Sequence, residues 1–374
     1  MAAVAFLIAA ALVTADTLLW LHAERRLDQG LKDVLVAARA AGWDVAAQAG
    51  TRGGWPLRAT LTLMRPHLRG HPAGLPTTVT WVGEELAIGL SPLHPDRLSL
   101  MPRGTQALAV ETPGAPAAAV RFWGSEIALH VARHMPDAKG AATLDARALH
   151  LAVAGPVAAT GPDDVATLAG LSGRVSWNLS ATRADTALGI SLDGRGLSLP
   201  PSIPWVPDRV IGTAAIRVAF TGPARRDAVS AERKTDSWDA GAWAAGGGRL
   251  LIQELSAGWG NGNGASLSGT ASPTADGALD GRFTLMLSGA DRTIERMSRE
   301  NRIEPGTAMA ARAVLGLIQR ARDSGEADRG GTAPVPAGAR PAADDKMFLP
   351  LTLRDGMLRL GQIPLARVPL PALR

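Results

Sequence analysis

The chain has 374 residues, with 39 Lys plus Arg against 34 Asp plus Glu, and its hydrophobic content reaches 46% while aromatic residues make up only 4%. Cys and Tyr are both absent, which excludes disulfides, thiolate metal centres and a Cys nucleophile. Only four of the basic residues are Lys (Lys32, Lys139, Lys234, Lys346), and the Arg residues are scattered rather than gathered in a stripe, so no nucleic-acid interface is expected.

Met1 to Ala15 carries no charge, and after Asp16 and Thr17 apolar character resumes through Leu18, Leu19, Trp20 and Leu21. Such a run is long enough as a helix to cross a bilayer core. Trp20 and His22 fall where interfacial residues belong, followed by Arg25 and Arg26. Residues 1–23 are therefore expected to form a transmembrane anchor. Two rivals are a cleaved signal sequence ending at the small residues Val13-Thr14-Ala15, and a buried core helix. Continuation of the apolar run past Ala15 favours the anchor. The positive-inside rule would place the body in the cytoplasm, but Glu24 and Asp28 lie among the arginines, and the expected location of the body is the periplasm.

Leu27, Leu31, Val34 and Leu35 recur at helical spacing, predicting an amphipathic helix over 24–41 that Gly42 stops. Residues 42–222 read as the first part of a β-rich body. Leu57, Ala59, Leu61 and Leu63 alternate with Arg58, Thr60 and Thr62. The same alternation recurs at Leu86, Ile88 and Leu90; at Leu108 and Val110; at Ile127, Leu129 and Val131; and at Leu149, Leu151 and Val153. Val175, Trp177 and Leu179, then Leu197 with Leu199, then Ile216, Val218 and Phe220 continue it. Spacing of roughly ten to twenty residues per strand matches an all-β sheet rather than βαβ units.

Residues 223–246 are charged and Ala-rich, predicting a helical or flexible insert docked by Trp238 and Trp243. From Gly248 to Gly289 three alternating runs are separated by Asn261-Gly262, Asn263-Gly264, Asp276-Gly277 and Asp280-Gly281, which predicts a β-meander with tight turns. With an amphipathic helix over 291–322 this makes a unit spanning 247–322. Residues 323–346 lack periodicity and are expected to form a disordered linker. Residues 347–374 return to strands around an Asp355-Gly356 turn. The expected class is mainly β with minor α: an N-terminal transmembrane helix, then an elongated, curved antiparallel sheet with a few packed helices.

Several short motifs stand out: Gly42-Trp43 at a helix end, Gly54-Trp55-Pro56 leading into a strand that ends at Pro66, Trp259-Gly260 in a Gly-rich strand pair, and LPLTLRDGMLRLGQIPLARVP with Asp355 and Gly356. On these motifs the chain resembles the DUF2125 family of proteobacterial envelope proteins. The terminal strand pair is also similar in style to AsmA-like proteins, elongated β structures of the Gram-negative envelope. The DUF2125 resemblance implies an N-terminal membrane anchor, and it brings no catalytic residue and no cofactor. This chain departs from it in lacking a leading Arg or Lys.

The remaining constellations are weak. His67 and His71 are spaced i, i+4, but Pro66, Gly70 and Pro72 break any helix, leaving loop histidines. His130 and His134 read as solvent-facing residues at a strand end. The GNGNG run at 260–264 lies between strands, so a hairpin loop is expected in place of a phosphate cradle. Adjacent acids Glu84-Glu85 and Asp163-Asp164 read as solvated turn residues rather than a dyad. Trp55 and Trp81 are candidates for the membrane surface. No catalytic, metal or cofactor residue is expected. The expected function is that of a non-enzymatic inner-membrane-anchored envelope protein, a scaffold or a β-groove for phospholipid acyl chains. The alternatives are a periplasmic hydrolase with an Asp/His site, or a module that anchors a partner.

Overall fold

The alternation of Leu, Val and Ile with Ser, Thr and Arg becomes, in a computed structural model, one antiparallel sheet of 15 strands paired strictly in chain order. The structure describes residues 2–56, 58–71, 77–91, 93–113, 117–132, 139–154, 165–183, 185–200, 209–223, 240–260, 262–274, 279–300, 303, 304, 306, 309, 312, 313, 316, 346–354, 356–361 and 363–367. The first half contains α1 (Ala2–Ala40), β1 (Asp44–Gly53), β2 (Ala59–Gly70), β3 (Thr78–Ser91), β4 (His94–Glu111), β5 (Ala118–Ala132), β6 (Lys139–Ala154), β7 (Ala166–Asn178) and β8 (Thr186–Ser198). The second half contains β9 (Val210–Thr221), α2 (Ala240–Ala245), β10 (Arg249–Trp259), β11 (Asn263–Pro273), β12 (Leu279–Ser288) and α3 (Ala290–Arg299). It ends with β13 (Lys346–Arg354), β14 (Met357–Leu360) and β15 (Ile363–Arg367).

The anchor and the amphipathic helix expected as separate pieces form one continuous helix of 39 residues, α1. The chain holds no Pro or Gly between them that would break it before Gly30. Its end is as expected: Gly42 has φ +84°, Gly42 N–H bonds Arg39 C=O, and Trp43 N–H bonds Ala38 C=O, a Schellman motif. Among the described residues no helix is long and apolar enough to cross a membrane. Most of the side chains of the uncharged run, residues 1–13 and 15, lie outside that description.

Trp20, Ala23, Leu27 and Leu31 of α1 pack on Ala59, Leu61 and Leu63 of β2 and on Ile88 and Leu90 of β3. Arg52 of β1 clamps the same helix, reaching Glu24 at 3.2 Å and Asp28 at 3.3 Å. A hydrogen bond from Lys32 foremost, partly opposed by desolvation and aided by the charges of Lys32 and Arg52, holds the Asp28 carboxyl below its ordinary range. A carboxylate depressed in this way stabilises the fold above its unfolded pKa of about 3.9, and the contribution is lost as pH falls through the lower folded value. Below pH ~4 the wild-type melting temperature should therefore fall more steeply than that of Asp28→Asn. Parallel curves for the two proteins would contradict the assignment.

Several expectations need correction. β2 does not end at Pro66: the strand runs on to Gly70, with Arg65 at φ +48° and Pro66 inside a bulge opposite β1. A bulge leaves one residue unpaired, so Pro's missing N–H removes no ladder bond there. His67 is thus a strand residue paired with Ala46 and Val82, not a loop residue. Asn263-Gly264 and Asp280-Gly281 lie within β11 and β12 rather than in turns. Glu84 and Glu85 lie in β3, where Glu85 pairs with Arg103 at 3.0 Å. Leu179 and Leu199 fall just beyond the ends of β7 and β8. The helix expected over 291–322 is α3 only to Arg299, and helical residues resume at Gly306, Met309, Arg312, Ala313 and Gly316. Trp238, His134, Asp163-Asp164, Asp276-Gly277, Asp355 and the 323–345 segment lie outside the described residues.

Bulges and positive-φ residues recur along the mid-lines of the strands: at Arg65, at Gly104 opposite Glu84 and Glu85, at Glu126, at Ala148, and between Ile252 and Leu255. Each sharpens the local bend and twist of its strand.

Candidate functional site

Directly opposed residues of an antiparallel pair share a face of the sheet, and the register fixes what each face carries. One row runs Leu61, Ile88, Leu100, Leu129, Leu144, Gly173, Leu192, Ile216, Leu255, Leu267, Leu285, Leu349. The row beside it runs Ala59, Leu90, Leu98, Val131, Ala142, Val175, Ile190, Val218, Ile252, Gly269, Phe283, Leu351. Only Gly interrupts these rows, and at Gly173 a Cβ would stand 2.5 Å from Leu192 Cδ2, so Leu192 already fills the gap.

Helices cover the two ends of this apolar face. α1 lies over β2 and β3, while Ala290 and Ile294 of α3 pack on Leu285, Leu287, Met347 and Leu349. Between them, over β5–β11, the aliphatic side chains are mostly half-buried, and Ile216 is 37% exposed. Aromatic rings flank this half-buried stretch. Trp259 donates to Thr293 Oγ1 of α3 at 3.4 Å, and Trp243 packs edge-on to Phe220 with its Nε1 donating to the Thr221 carbonyl at 2.8 Å.

The opposite face is polar. The intervening row is Thr60, Gly89, Ser99, His130, Thr143, Arg174, Ser191, Arg217, Glu254. Arg217 is held between Asp193, at 2.7 Å, and Glu254. Part of this row lines a cavity of about 460 Å³. Its walls carry three arginines (Arg58, Arg97, Arg174) and two histidines (His94, His130), joined by the hydroxyls of Ser91, Ser99 and Thr143, and among the described residues they carry no carboxylate. Gly89 is what lets Arg58 lie there: a Cβ at that position would stand 2.8 Å from Arg58 Cδ.

His130 is half-buried and bonds Ser99 Oγ through Nδ1 at 3.0 Å, so it is not the solvent-facing residue expected. A Ser–His contact beside a cavity invites comparison with acyl-transfer sites. In those, Nε2 faces the Ser while Nδ1 is oriented by a carboxylate. Here Nδ1 is already taken by the Ser, and among the described residues no carboxylate bonds Nε2. The pair orients His130 toward the cavity rather than activating Ser99. A second, smaller cavity of about 320 Å³ mixes Glu126, Asp145 and Asp193 with Arg147 and Arg195. Among the described residues, no cluster of His, Asp and Glu able to hold a metal occurs.

The motif residues are placed in structural roles and do not converge. Trp43 lies over Gly70, where a Cβ would stand 2.5 Å from the indole. Gly54 has φ +90°, and a Cβ there would collide with the Arg58 carbonyl. The bond between Trp55 and Pro56 is cis, and Trp55 is 52% exposed. Gly260 belongs to the three-residue loop joining β10 to β11, the hairpin that the GNGNG run predicts. Gly356, at φ +70°, follows Asp355 in the two-residue connection between Arg354 and Met357.

The pocket itself was invisible in the sequence. Its residues come from positions 58 to 174, and only the strand register brings them together.

A family model described as "Uncharacterized protein conserved in bacteria (DUF2125)" matches residues 20–369. No curated protein matches, and no solved structure matches.

Proposed function

This chain belongs to the DUF2125 family, and from that premise we propose a membrane-anchored envelope protein whose long sheet shelters phospholipid acyl chains on its apolar face. The observation that carries the reading is the pair of aliphatic rows crossing β2–β13, helix-covered at both ends and half-open over β5–β11. Soluble proteins rarely leave so large a contiguous apolar patch without something that binds it. Strands spaced about 4.8 Å apart make the open stretch about 29 Å long. That length is close to the ~30 Å of a whole bilayer core, enough for acyl chains laid across the strands.

Anchoring is supported by α1. Its packing on the sheet begins at Trp20, and the 19 residues before it would span about 28 Å as a helix. Met1 to Ala15 within that stretch is uncharged, and Leu18 and Leu19 are 62% and 57% exposed. We take this as an inner-membrane anchor with the body in the periplasm. A topology reporter fused after Arg374 reads the compartment directly. A cytoplasmic signal would remove that location.

The lipid reading is tested on the full chain purified in detergent. It should retain phospholipid in excess of a control in which residues 1–40 are fused to an unrelated soluble domain. Ile190→Asn with Leu192→Asn, on the open stretch, should bring the amount down toward the control. Equal lipid in wild type and control would leave the apolar face without its proposed occupant.

A further inference from the structure

The cavity on the polar face has a chemistry that the acyl-chain reading does not use. We propose that it binds the phosphoryl group of a phosphate ester. Arg58, Arg97 and Arg174 converge on a volume of about 460 Å³ with two imidazoles and, among the described residues, no carboxylate in its walls. Like charges gathered in one cavity repel one another, and an anion of high charge density relieves that repulsion. A phosphate monoester brings roughly −1.5 to −2 charge and three acceptor oxygens, whereas a carboxylate brings one charge and two. Planar guanidinium forks suit those oxygens in bidentate pairs. The Ser99–His130 hydrogen bond fixes one imidazole, and Thr143 adds a hydroxyl between His130 and Arg174.

Competing partners are weak. Asp96 approaches Arg97 only to 4.0 Å, with both side chains mostly exposed, and such pairs contribute little. Arg58 Nη1 lies 3.3 Å from Met101 Sδ, a neutral contact that leaves the charge uncompensated. Among the described residues, Arg58 and Arg174 form no ion pair.

The pocket also has a fixed relation to α1. The backbone carbonyl of Arg58 accepts a hydrogen bond from the Trp20 indole at 3.1 Å, at the start of the part of α1 that packs on the sheet. If α1 is anchored as proposed above, Trp20 lies at headgroup level and the cavity sits beside lipid phosphates. The phosphoryl chemistry stands without the anchor; only the lipid source rests on it.

The test uses the full chain in a neutral detergent, titrated with inorganic phosphate by calorimetry. Saturable binding is expected. Arg174→Gln and Arg97→Gln should each weaken it about tenfold or more, the scale of losing one charge-assisted contact. Arg174→Lys should recover part of the loss, and Arg249→Gln, outside the pocket, should change nothing. Arg97 and Arg174 are both exposed, so both variants should keep the wild-type circular dichroism spectrum, and either one reports on its own. Two competitors then separate the sources. Displacement by phosphatidylcholine vesicles containing phosphatidic acid, but not by pure phosphatidylcholine vesicles, assigns a lipid headgroup. Displacement by glycerol 3-phosphate alone assigns a soluble ester. Absence of saturable phosphate binding, or binding untouched by both Gln substitutions, overturns the proposal. Ile190→Asn with Leu192→Asn on the opposite face should leave phosphate binding intact, so failure of the acyl-chain reading would not be mistaken for failure here.

Discussion

Trp243→Ala should destabilise the protein by about 3–5 kcal/mol, the range for truncating a fully buried aromatic side chain. Trp243 is 2% exposed, its ring meets Phe220 edge-on at 5.5 Å between centroids, and its indole N–H satisfies the Thr221 carbonyl. Truncation removes the ring contacts and leaves that carbonyl without its donor. Relaxation cannot close the space cheaply, because the backbone around it is already committed. At Gly248 a Cβ would collide with the indole, and Gly222, at φ +121°, faces Gly248 at close range. Chemical denaturation of the full chain in detergent measures the loss as a lowered midpoint. Trp55→Ala is the matched control. Its side chain is half-exposed in the β1–β2 connection, and the change should stay within about 0.5 kcal/mol. Equal effects at the two positions would mean that the insert carrying Trp243 is not docked on the sheet.

The second large effect is expected at Gly54. Its φ of +90° is strained for any residue with a side chain, and a Cβ would drive into the carbonyl of Arg58. Strain of this kind costs about 1–3 kcal/mol, and the collision adds to it. Gly54 C=O also accepts the Arg58 N–H at 2.9 Å, which closes the turn. Gly54→Ala should therefore cost more than 2 kcal/mol or so, and it should act at a distance as well. Opening the turn moves Arg58, whose carbonyl holds Trp20 and whose guanidinium lines the basic cavity. Phosphate affinity should fall along with stability in this variant. Gly42→Ala, at φ +84° with open space around its Cα, carries the conformational strain without the collision. It should be milder and should leave phosphate binding unchanged. A Gly54→Ala protein as stable as wild type would show that the turn adopts another geometry.

Period-two alternation made the strands legible, because each buried Leu or Val row leaves an unmistakable trace along one strand. Leu61 and Leu63, or Leu349 and Leu351, announce their face without any knowledge of their neighbours. The positive-φ Gly356 after β13 and the stop at Gly42 were equally local, since both depend on a Gly that can adopt positive φ. Register was not local. Nothing in the residues around Arg174 says that Thr143 lies opposite it on one side and Ser191 on the other. The basic cavity and the Ser99–His130 contact stayed hidden for that reason. Bulges were hidden too. Pro66 reads as a strand end because Pro lacks a ladder donor, yet a bulge provides the one interior place where no donor is required. Asn263-Gly264 misled in the opposite sense, as a turn-forming dipeptide absorbed into the first residues of β11.

The sheet's order follows the chain from β1 to β15 without a single crossover. Every strand therefore pairs with the one before it in the chain, most across short connections and β13 only after the long segment that carries α3. Energetics of this kind sum over nearest neighbours, as they do in linear repeat arrays. Duplicating or deleting one two-strand unit would then lengthen or shorten the apolar rows by about 10 Å while leaving the remainder in register.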